Sequence, residues 1–400
     1  MEPPLVSPLV SPLVSIVTPS YNQGSFIRTT IESVLSQDYP NIEYIVMDGG
    51  STDDTAAIAA EYAGRLAWTS EKDRGQAHAI NKGFQAARGE IVAWLNSDDV
   101  LLPGAVRRAV EAFRRNPGVS VIYGEGYCMD TEGRITRRFP ATEPFNLWKL
   151  VYLSDYVLQQ STFFRREALE RIGWLDENLE YTLDWDLLIR LGKRFGLMYI
   201  AEDFGVLREY PEAKSFSGGR RRVEEIRRVL ERHTGLKRAP GYWTYGLDTY
   251  QKLLRDGLAR LPGPVRIPAR LLDWCFYIPT AVVIMLILRH SQGVYPDRWA
   301  SDRVKWMLPE GCTTVTIRGT VPDHPRLRGQ ELTVRAGAQK LGRWRIGPGD
   351  FEVSFRRPGD CQSVFSFQMR ANRFKRPRLG TELSVRRMAF ILNSVDWQTG

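Results

Sequence analysis

The sequence predicts an α/β protein: a doubly wound mixed sheet, then a helical segment, then a C-terminal all-β sandwich of jelly-roll type. Three observations predict it. In the first half, apolar runs of strand length alternate with stretches whose apolar residues recur at helical spacing, the pattern of a layered α/β sheet. Each apolar run stops abruptly at a polar, acidic or Gly-rich turn. Beyond residue 300, apolar and polar residues alternate one by one between Pro and Gly turns, as half-buried strands do.

Pro-Leu-Val-Ser occurs three times in succession, from Pro4 to Ser15. The repeated prolines disfavour helix and central strand, so residues 1–13 are expected to form a loose tail and only Val14-Ser15 to enter the first strand. Ile16-Val17-Thr18 reads as that strand, ending in the turn Pro19-Ser20-Tyr21-Asn22-Gln23-Gly24. A helix follows from about Ser25 to Gln37, with Ile27, Ile31, Val34 and Leu35 on one face. Tyr44 to Met47 is a second strand, ending at Asp48-Gly49-Gly50-Ser51-Thr52-Asp53-Asp54. Thr52 is placed to cap the next helix, with Asp53 and Asp54 at its positive end. A third strand near Leu66–Thr69 leads to Ser70-Glu71-Lys72-Asp73-Arg74-Gly75-Gln76, and a helix runs from about Gln76 to Ala87, stopping at Gly89.

The fourth strand carries the sharpest signal. Ile91 to Leu95 is wholly apolar, and then come Asn96, Ser97, Asp98 and Asp99. Ligands of open α/β sheets bind beyond the carboxyl ends of the strands, so this turn belongs at the mouth of a cleft. Mg²⁺ is usually held by one or two carboxylates plus substrate phosphates, and Mn²⁺ also suits oxygen ligands; a metal on Asp98 would grip a diphosphate. The plainer reading is a polar turn opening the next helix, with Pro103 at its first position. The Gly-x-Gly-x-x-Gly dinucleotide fingerprint and the Walker-type loop are both missing, which leaves a metal to hold any anion and favours Asp98.

At these four turns the chain resembles glycosyltransferase family 2. The resemblance rests on Thr18-Pro19-Ser20-Tyr21-Asn22, Asp48-Gly49-Gly50-Ser51-Thr52-Asp53, Asp73-Arg74-Gly75 and Asn96-Ser97-Asp98-Asp99, in that order, and covers roughly residues 14–210. It implies the GT-A fold and an inverting transfer from a nucleotide-activated sugar, with a UDP-sugar as the expected donor and Mg²⁺ or Mn²⁺ as cofactor. By the same resemblance Pro19, Ser20, Tyr21 and Asn22 line the nucleotide pocket, and Asp48 bonds the base. Asp73 and Arg74 lie beside the ribose and donor sugar. Asp98 matches the last carboxylate of the family's Asp-x-Asp metal motif, whose first member is Asn96 here; Asp99 supports it.

Farther along, Val119 to Gly124 reads as a strand and Tyr127 to Phe139 as a hairpin turning at Gly133. Gln159 to Arg165, including Gln160, resembles the family's strand beside the acceptor. Leu187, Leu188 and Leu191 recur at helical spacing, so a helix begins near Asp184. The family places Glu-Asp there and its Asp is the catalytic base; Asp184 matches that Asp, and Leu183 replaces the Glu. The plainer role for Asp184 is an N-cap, and Asp186 is the reserve, supporting the site from the next turn. Arg208 to Ser215 resembles the closing loop whose cations reach the diphosphate, with Arg208 and Lys214 as the candidates and Tyr210 in place of the usual His.

These readings divide the chain into a tail (1–13), a glycosyltransferase domain (14–215), a helical linker (216–299) and an accessory sandwich (300–400). Residues 220–232 form a charged helix with Glu224 four before Arg228, a solvated pattern. The run Trp274 to Leu288 is the most apolar in the chain but falls short of the ~20 residues of a bilayer span. Burial against the β-rich tail and insertion at a lipid surface both fit it. Trp274, Tyr277 and the flanking Arg266, Arg270 and Arg289 favour the membrane surface. Thr314–Gly319, Glu331–Ala336, Asp350–Arg356 and Ser363–Arg370 read as the strands of the sandwich.

The net charge of +9, from 55 basic and 46 acidic residues, suits an anionic ligand or membrane surface. The basic residues are spread widely and form no nucleic-acid-binding motif, so nucleic acid is not an expected partner. The four cysteines, Cys128, Cys275, Cys312 and Cys361, make no zinc or redox spacing. With no charged region ahead of an apolar one at the N-terminus, the expectation is a cytoplasmic protein with reduced thiols, peripheral at the inner face of the cell membrane. The expected acceptor is a glycan or polyprenyl-linked glycan in surface polysaccharide assembly. Two rivals stand beside this reading. A sugar nucleotidyltransferase would need a Gly-rich, Lys-bearing N-terminal loop, which is missing. A non-catalytic carbohydrate-binding protein would tolerate replacement of Asp98 and Asp184.

Overall fold

The structure, a computed structural model, describes residues 11–259, 299–300, 303–323, 327, 329–359, 365–371 and 390–399. The first two Pro-Leu-Val-Ser copies up to Val10, the apolar run 274–288 with its flanking arginines, Cys275 and Cys361 lie outside them. Cys128 and Cys312 are buried. The chain divides into two compact units, Met1–Phe145 with Asp155–Val229, and Asn146–Ser154 with Leu230–Gly400.

The first unit begins as the alternating pattern requires. Its elements are β1 (Val14–Ser20), α1 (Ile27–Leu35), β2 (Ile42–Asp48), α2 (Thr55–Ala60), β3 (Ala67–Ser70), α3 (Gln76–Ala86), β4 (Ile91–Trp94), β5 (Val100–Leu101) and α4 (Ala105–Arg115). β1, β2, β3 and β4 pair in parallel in the order β3-β2-β1-β4. The register places Ser20 beside Asp48 and Asp48 beside Ser70, so three strand ends form one row. On α1 the residues Ile27, Thr30, Ile31 and Val34 are buried, the face their spacing predicts. α3 lies so close on β1 that a Cβ on Gly83 would sit 2.3 Å from Val17 Cγ1.

Several boundaries differ from the sequence reading for local reasons. Thr52 does not cap α2: its N–H goes to Asn22 Oδ1, and Asp53 Oδ1 receives the Thr55 N–H. Gly89 does not stop α3; the helix ends in an extended Ala87, and Gly89 N–H donates to Ser15 Oγ at 2.9 Å. Pro103 is not the first residue of α4, because the left-handed Gly104 (φ 76°) intervenes as the cap.

The mixed part of the sheet follows: β6 (Val121–Met129), β7 (Ile135–Arg138), a 3₁₀ turn (Gln159–Ser161), β8 (Thr162–Arg165), α6 (Arg166–Ile172), α7 (Leu183–Arg194), β9 (Met198–Arg208), α8 (Lys214–Ser217) and α9 (Gly219–Thr234). Between β7 and β8 comes α5 (Leu147–Tyr152), part of the second unit. β8 pairs antiparallel with β4 and with β6, β9 runs parallel to β6, and β5 runs antiparallel to β9. β6 and β7 make the expected hairpin, with Gly133 left-handed in its turn (φ 81°). Gln159 and Gln160, expected in a strand, lie in the 3₁₀ turn instead. Arg208 is the last residue of the long β9 rather than part of a loop.

Among the described residues the second unit holds α5, α10 (Pro240–Ala259) and eight strands: β10 (Trp299–Ala300), β11 (Arg303–Leu308), β12 (Cys312–Val321), β13 (Gln330–Ala336), β14 (Gln339–Ile346), β15 (Gly349–Arg356), β16 (Phe365–Arg370) and β17 (Phe390–Thr399). They form two antiparallel sheets, β10-β17-β12-β15 and β11-β16-β13-β14. Val315, Ile317, Val353 and Phe355 from one share a core with Val304, Leu332, Val334 and Phe367 from the other. Inward residues alternate with outward polar ones, as sheet packing requires.

Candidate active site

The ends of β1, β2 and β4 carry most of the expected residues, and the start of α7 carries Asp184. Pro19 and Ser20 end β1, and Ser20 Oγ is buried with no hydrogen-bond partner among the described residues. Tyr21 is 61% exposed beside it, a free aromatic face at a strand end. Asn22 takes a left-handed φ of 52°. It ties the β1 turn to the β2 turn, taking Ser51 Oγ with its N–H at 2.8 Å and the Thr52 N–H with its Oδ1 at 2.9 Å.

Asp48 is 2% exposed at the end of β2. Its Oδ2 accepts from Gly50 N, Ser51 N and Ser70 Oγ, and its Oδ1 from Ser51 Oγ at 2.5 Å. Oδ1 keeps capacity for one more donor. Asp73 Oδ1 accepts the Gly75 N–H at 2.8 Å, while its Oδ2 faces Gly49. A Cβ on Gly49 would lie 2.7 Å from that oxygen and 3.3 Å from Tyr21 Cδ2, so a side chain there would push into the space between them. Arg74 is exposed and ion-paired with Glu177.

The two adjacent carboxylates play different parts. Asp99 is 1% exposed and fully engaged: Oδ1 accepts Arg208 N at 2.9 Å, and Oδ2 accepts Gln160 Nε2 at 2.5 Å and Asn96 Nδ2 at 3.1 Å. Burial, then the Asp98 charge, pushes its pKa up to about 8. Asp98 is half-buried, and the Tyr210 hydroxyl donates to its Oδ2 at 2.7 Å. Burial raises its pKa, and the Tyr210 bond partly offsets that. Thr30 of α1 reaches the Ser97 and Asp99 carbonyls at 2.9 and 2.7 Å and so pins the turn from behind. Asn96 Oδ1 accepts from Gln76 Nε2 at 2.8 Å.

Arg208 does not reach outward to a diphosphate. It is 3% exposed, and its guanidinium is spent on the Asp98, Asp130 and Thr131 carbonyls at 2.9, 2.9 and 3.0 Å. It bolts the carboxylate turn to the β6–β7 hairpin. Lys214, at the start of α8, is exposed, and the charges around it include Glu180, Glu225, Asp73 and Asp98.

Thr182 is the N-cap residue of α7, which places Asp184 in the first turn rather than at the cap. Asp184 is half-buried, its Oδ1 accepts the Trp185 N–H at 2.8 Å, and burial raises its pKa. Asp186, the reserve candidate, is fully buried and paired with Arg190 at 2.8 Å. Arg190 also binds the Ile172, Gly173 and Trp174 carbonyls, so this pair fixes a loop and does not face a substrate.

Sequence reasoning missed residues around Asp184. Asp155 accepts the Val157 N–H at 3.0 Å, and burial, then the Asp184 charge, holds its pKa well up. Arg222 of α9 lowers both carboxylates' pKa in opposition to burial. Glu225, 4% exposed, accepts the N–H groups of Glu180, Tyr181 and Thr182 and the Thr182 hydroxyl, at 2.7–3.1 Å. An anion so placed holds the N–H groups that lead into α7, that of the N-cap Thr182 among them, and suits the helix dipole. Its neighbour Glu224 pairs with Arg227 rather than Arg228. Glu225→Ala leaves three backbone donors without their acceptor, at ~1–3 kcal/mol for each buried group left unsatisfied. The expected result in urea unfolding is a loss of about 3 kcal/mol, with slower turnover as the start of α7 loosens.

The profile of glycosyl transferase family 2 matches residues 15–173. An uncharacterized glycosyltransferase of Mycobacterium tuberculosis is 35% identical over 180 residues, covering 44% of this chain and 67% of that protein. The chain belongs to glycosyl transferase family 2. Chondroitin synthase of Escherichia coli is 30% identical over 182 residues, 45% of this chain and 26% of that family member. An uncharacterized glycosyltransferase of Rickettsia prowazekii is 31% identical over 184 residues, 43% of this chain, and the match spans about half of that relative, 56%. Among solved structures, S. aureus TarS in complex with UDP-GlcNAc gives a TM-score of 0.45 at 17% identity, covering 70% of this chain and 93% of that one. A mannosyltransferase from Pyrobaculum calidifontis in complex with GDP-Man and Mn²⁺ gives 0.45 at 20% identity, covering 70% and 88%. The family match ends before α7, so Asp184 lies beyond it.

Proposed function

We propose that the first unit transfers a sugar, with inversion at the anomeric carbon, from a nucleoside diphosphate sugar to a hydroxyl of a glycan or polyprenyl-linked glycan in surface polysaccharide assembly. One contrast carries the reading: Asp98 and Asp184 are half-buried carboxylates, while Asp99 and Asp186 beside them are buried and committed to structural partners. The parallel strands followed by a mixed half are consistent with the GT-A arrangement, and the match to a chondroitin synthase supports a polysaccharide product.

The site fits Mg²⁺ or Mn²⁺ in a limited way. Asp98 offers a hard oxygen ligand, and among the described residues no three His, Cys, Asp or Glu side chains gather as a metal cage. A cation there would take its other oxygens from the diphosphate and water, as Mg²⁺ commonly does. When bound it would neutralise charge on the departing nucleoside diphosphate.

The remaining work falls to the chain. Tyr21 and the open cradle at Gly49 receive the nucleotide, the unpartnered Ser20 hydroxyl offers it a bond, and Asp48 Oδ1 accepts an N–H of the base, as uracil provides. Arg74 and Asp73 flank the ribose and sugar, and Lys214 faces the phosphates. Asp184 takes the proton of the acceptor hydroxyl as it attacks; burial makes it a stronger base than a solvated carboxylate. No enzyme nucleophile is needed for a single displacement. In this proposal the enzyme works in the cytoplasm, peripheral at the inner membrane face, which its net charge of +9 suits.

Calorimetric titration with UDP and with GDP, each with and without Mn²⁺, tests the donor half. UDP affinity is expected to rise about tenfold or more, ~1.4 kcal/mol, when Mn²⁺ is present. Equal affinity with and without the metal would contradict the reading.

A further inference from the structure

We infer that the outer face of the β11-β16-β13-β14 sheet docks onto an anionic lipid bilayer, an inference independent of the catalytic reading. Alternation along the strands decides what this face carries. Val304, Leu332, Val334, Ile346, Phe367 and Met369 turn into the core. Lys305, Arg335, Lys340, Arg343, Arg345 and Arg370 turn outward and are exposed.

The pairing register sets these cations side by side. Lys305 lies opposite Gln368, Gln368 opposite Arg335, and Arg335 opposite Lys340. In the next row Arg370 lies opposite Thr333, and Thr333 opposite Arg343. Arg345 lies opposite Glu331. Neighbouring strands are ~4.8 Å apart and alternate residues ~7 Å, so the cations form a compact, open array. On these strands Glu331 is the acidic side chain facing outward, and it pairs with Arg343.

The other sheet of the same unit gives the contrast. On its outer face Arg318 is paired with both Glu352 and Asp396, and Thr320 with Asp350. Those charges close on one another; the ones on the β11-β16-β13-β14 face are in excess and point to solvent.

A bilayer is the occupant this face fits. The array is a sheet surface that can set many cations against a plane of negative charge at once. Among the described residues it exposes no aromatic ring on which a sugar or base would stack, which disfavours a glycan or nucleic-acid chain. Each cation near an anionic leaflet contributes about fivefold to partitioning, and salt screens it over ~10 Å at 0.1 M.

Flotation of the full chain with vesicles of phosphatidylcholine, with or without added phosphatidylglycerol, tests the inference. The wild type should float with anionic vesicles alone, and high salt should release it. Lys305→Gln/Arg335→Gln/Arg345→Gln should lower partitioning about a hundredfold; Arg318→Gln/Arg356→Gln, on the other sheet, should float like wild type. Thermal melting confirms that each variant is folded, and if the triple variant melts early Lys305→Gln/Arg335→Gln replaces it. Wild type that stays down, or a folded face variant that floats equally well, overturns the inference. So does a wild type that binds soluble dextran sulfate but not vesicles.

Discussion

Asp184→Asn is expected to bind the donor normally and to lose transfer by ~10²–10⁴, the usual cost of removing a general base. The substitution keeps shape and the acceptor for the Trp185 N–H, so helix α7 should persist. The pH profile adds a second readout. A base works when deprotonated, and burial raises the Asp184 pKa. The wild-type rate should therefore fall as pH drops through a value above the ordinary carboxylate range of ~3.9, and Asp184→Asn should lack this acid limb. Asp186→Asn should instead lower stability, because it breaks the buried pair with Arg190. If Asp184→Asn transfers normally while folded Asp186→Asn does not, the base is one helical step away from where we place it.

Asp98→Ala should abolish metal-enhanced donor binding and lower turnover by more than about a hundredfold, the scale of removing one electrostatic contact to a departing group. The fold should survive, because Asp99, Thr30 and Arg208 hold the turn without the Asp98 side chain. The Tyr210 hydroxyl loses its Asp98 acceptor in that variant. Full activity in EDTA with Asp98 replaced would sink metal dependence. Isothermal titration with UDP and Mn²⁺, beside turnover, separates a binding loss from a chemical one.

Some of this was legible in the sequence for a simple reason. A buried parallel strand is a continuous apolar run, and its carboxyl end must break into polar residues; Ile91–Asp99 displays both, as do the ends of β1 and β2. The carboxylate turn was therefore found from residues alone. In the mixed half the β6–β7 hairpin was legible too, but β5, two residues long, was not, and β8, four residues long, was reached only through the family resemblance; both are too short for any period to show. β9 mixes exposed and buried residues, which hid Arg208 at its end. Glu225 escaped because α9 reads from its many charges as a solvated helix; its buried face, Val223, Ile226 and Val229 with Glu225, is narrow, and nothing in that pattern sets one Glu apart from the others. Tyr210 stood out as a departure from the family's His, yet the fold gives its hydroxyl to Asp98, a contact across 112 positions.

The most direct test of the central claim is nucleoside diphosphate release from a panel of nucleotide sugars, UDP-sugars first, with Mg²⁺ or Mn²⁺, in wild type, Asp98→Ala and Asp184→Asn. The account predicts metal-dependent release by wild type with at least one donor, and release suppressed in both folded variants. Release by both variants at the wild-type rate, or by wild type undiminished in EDTA, would contradict it.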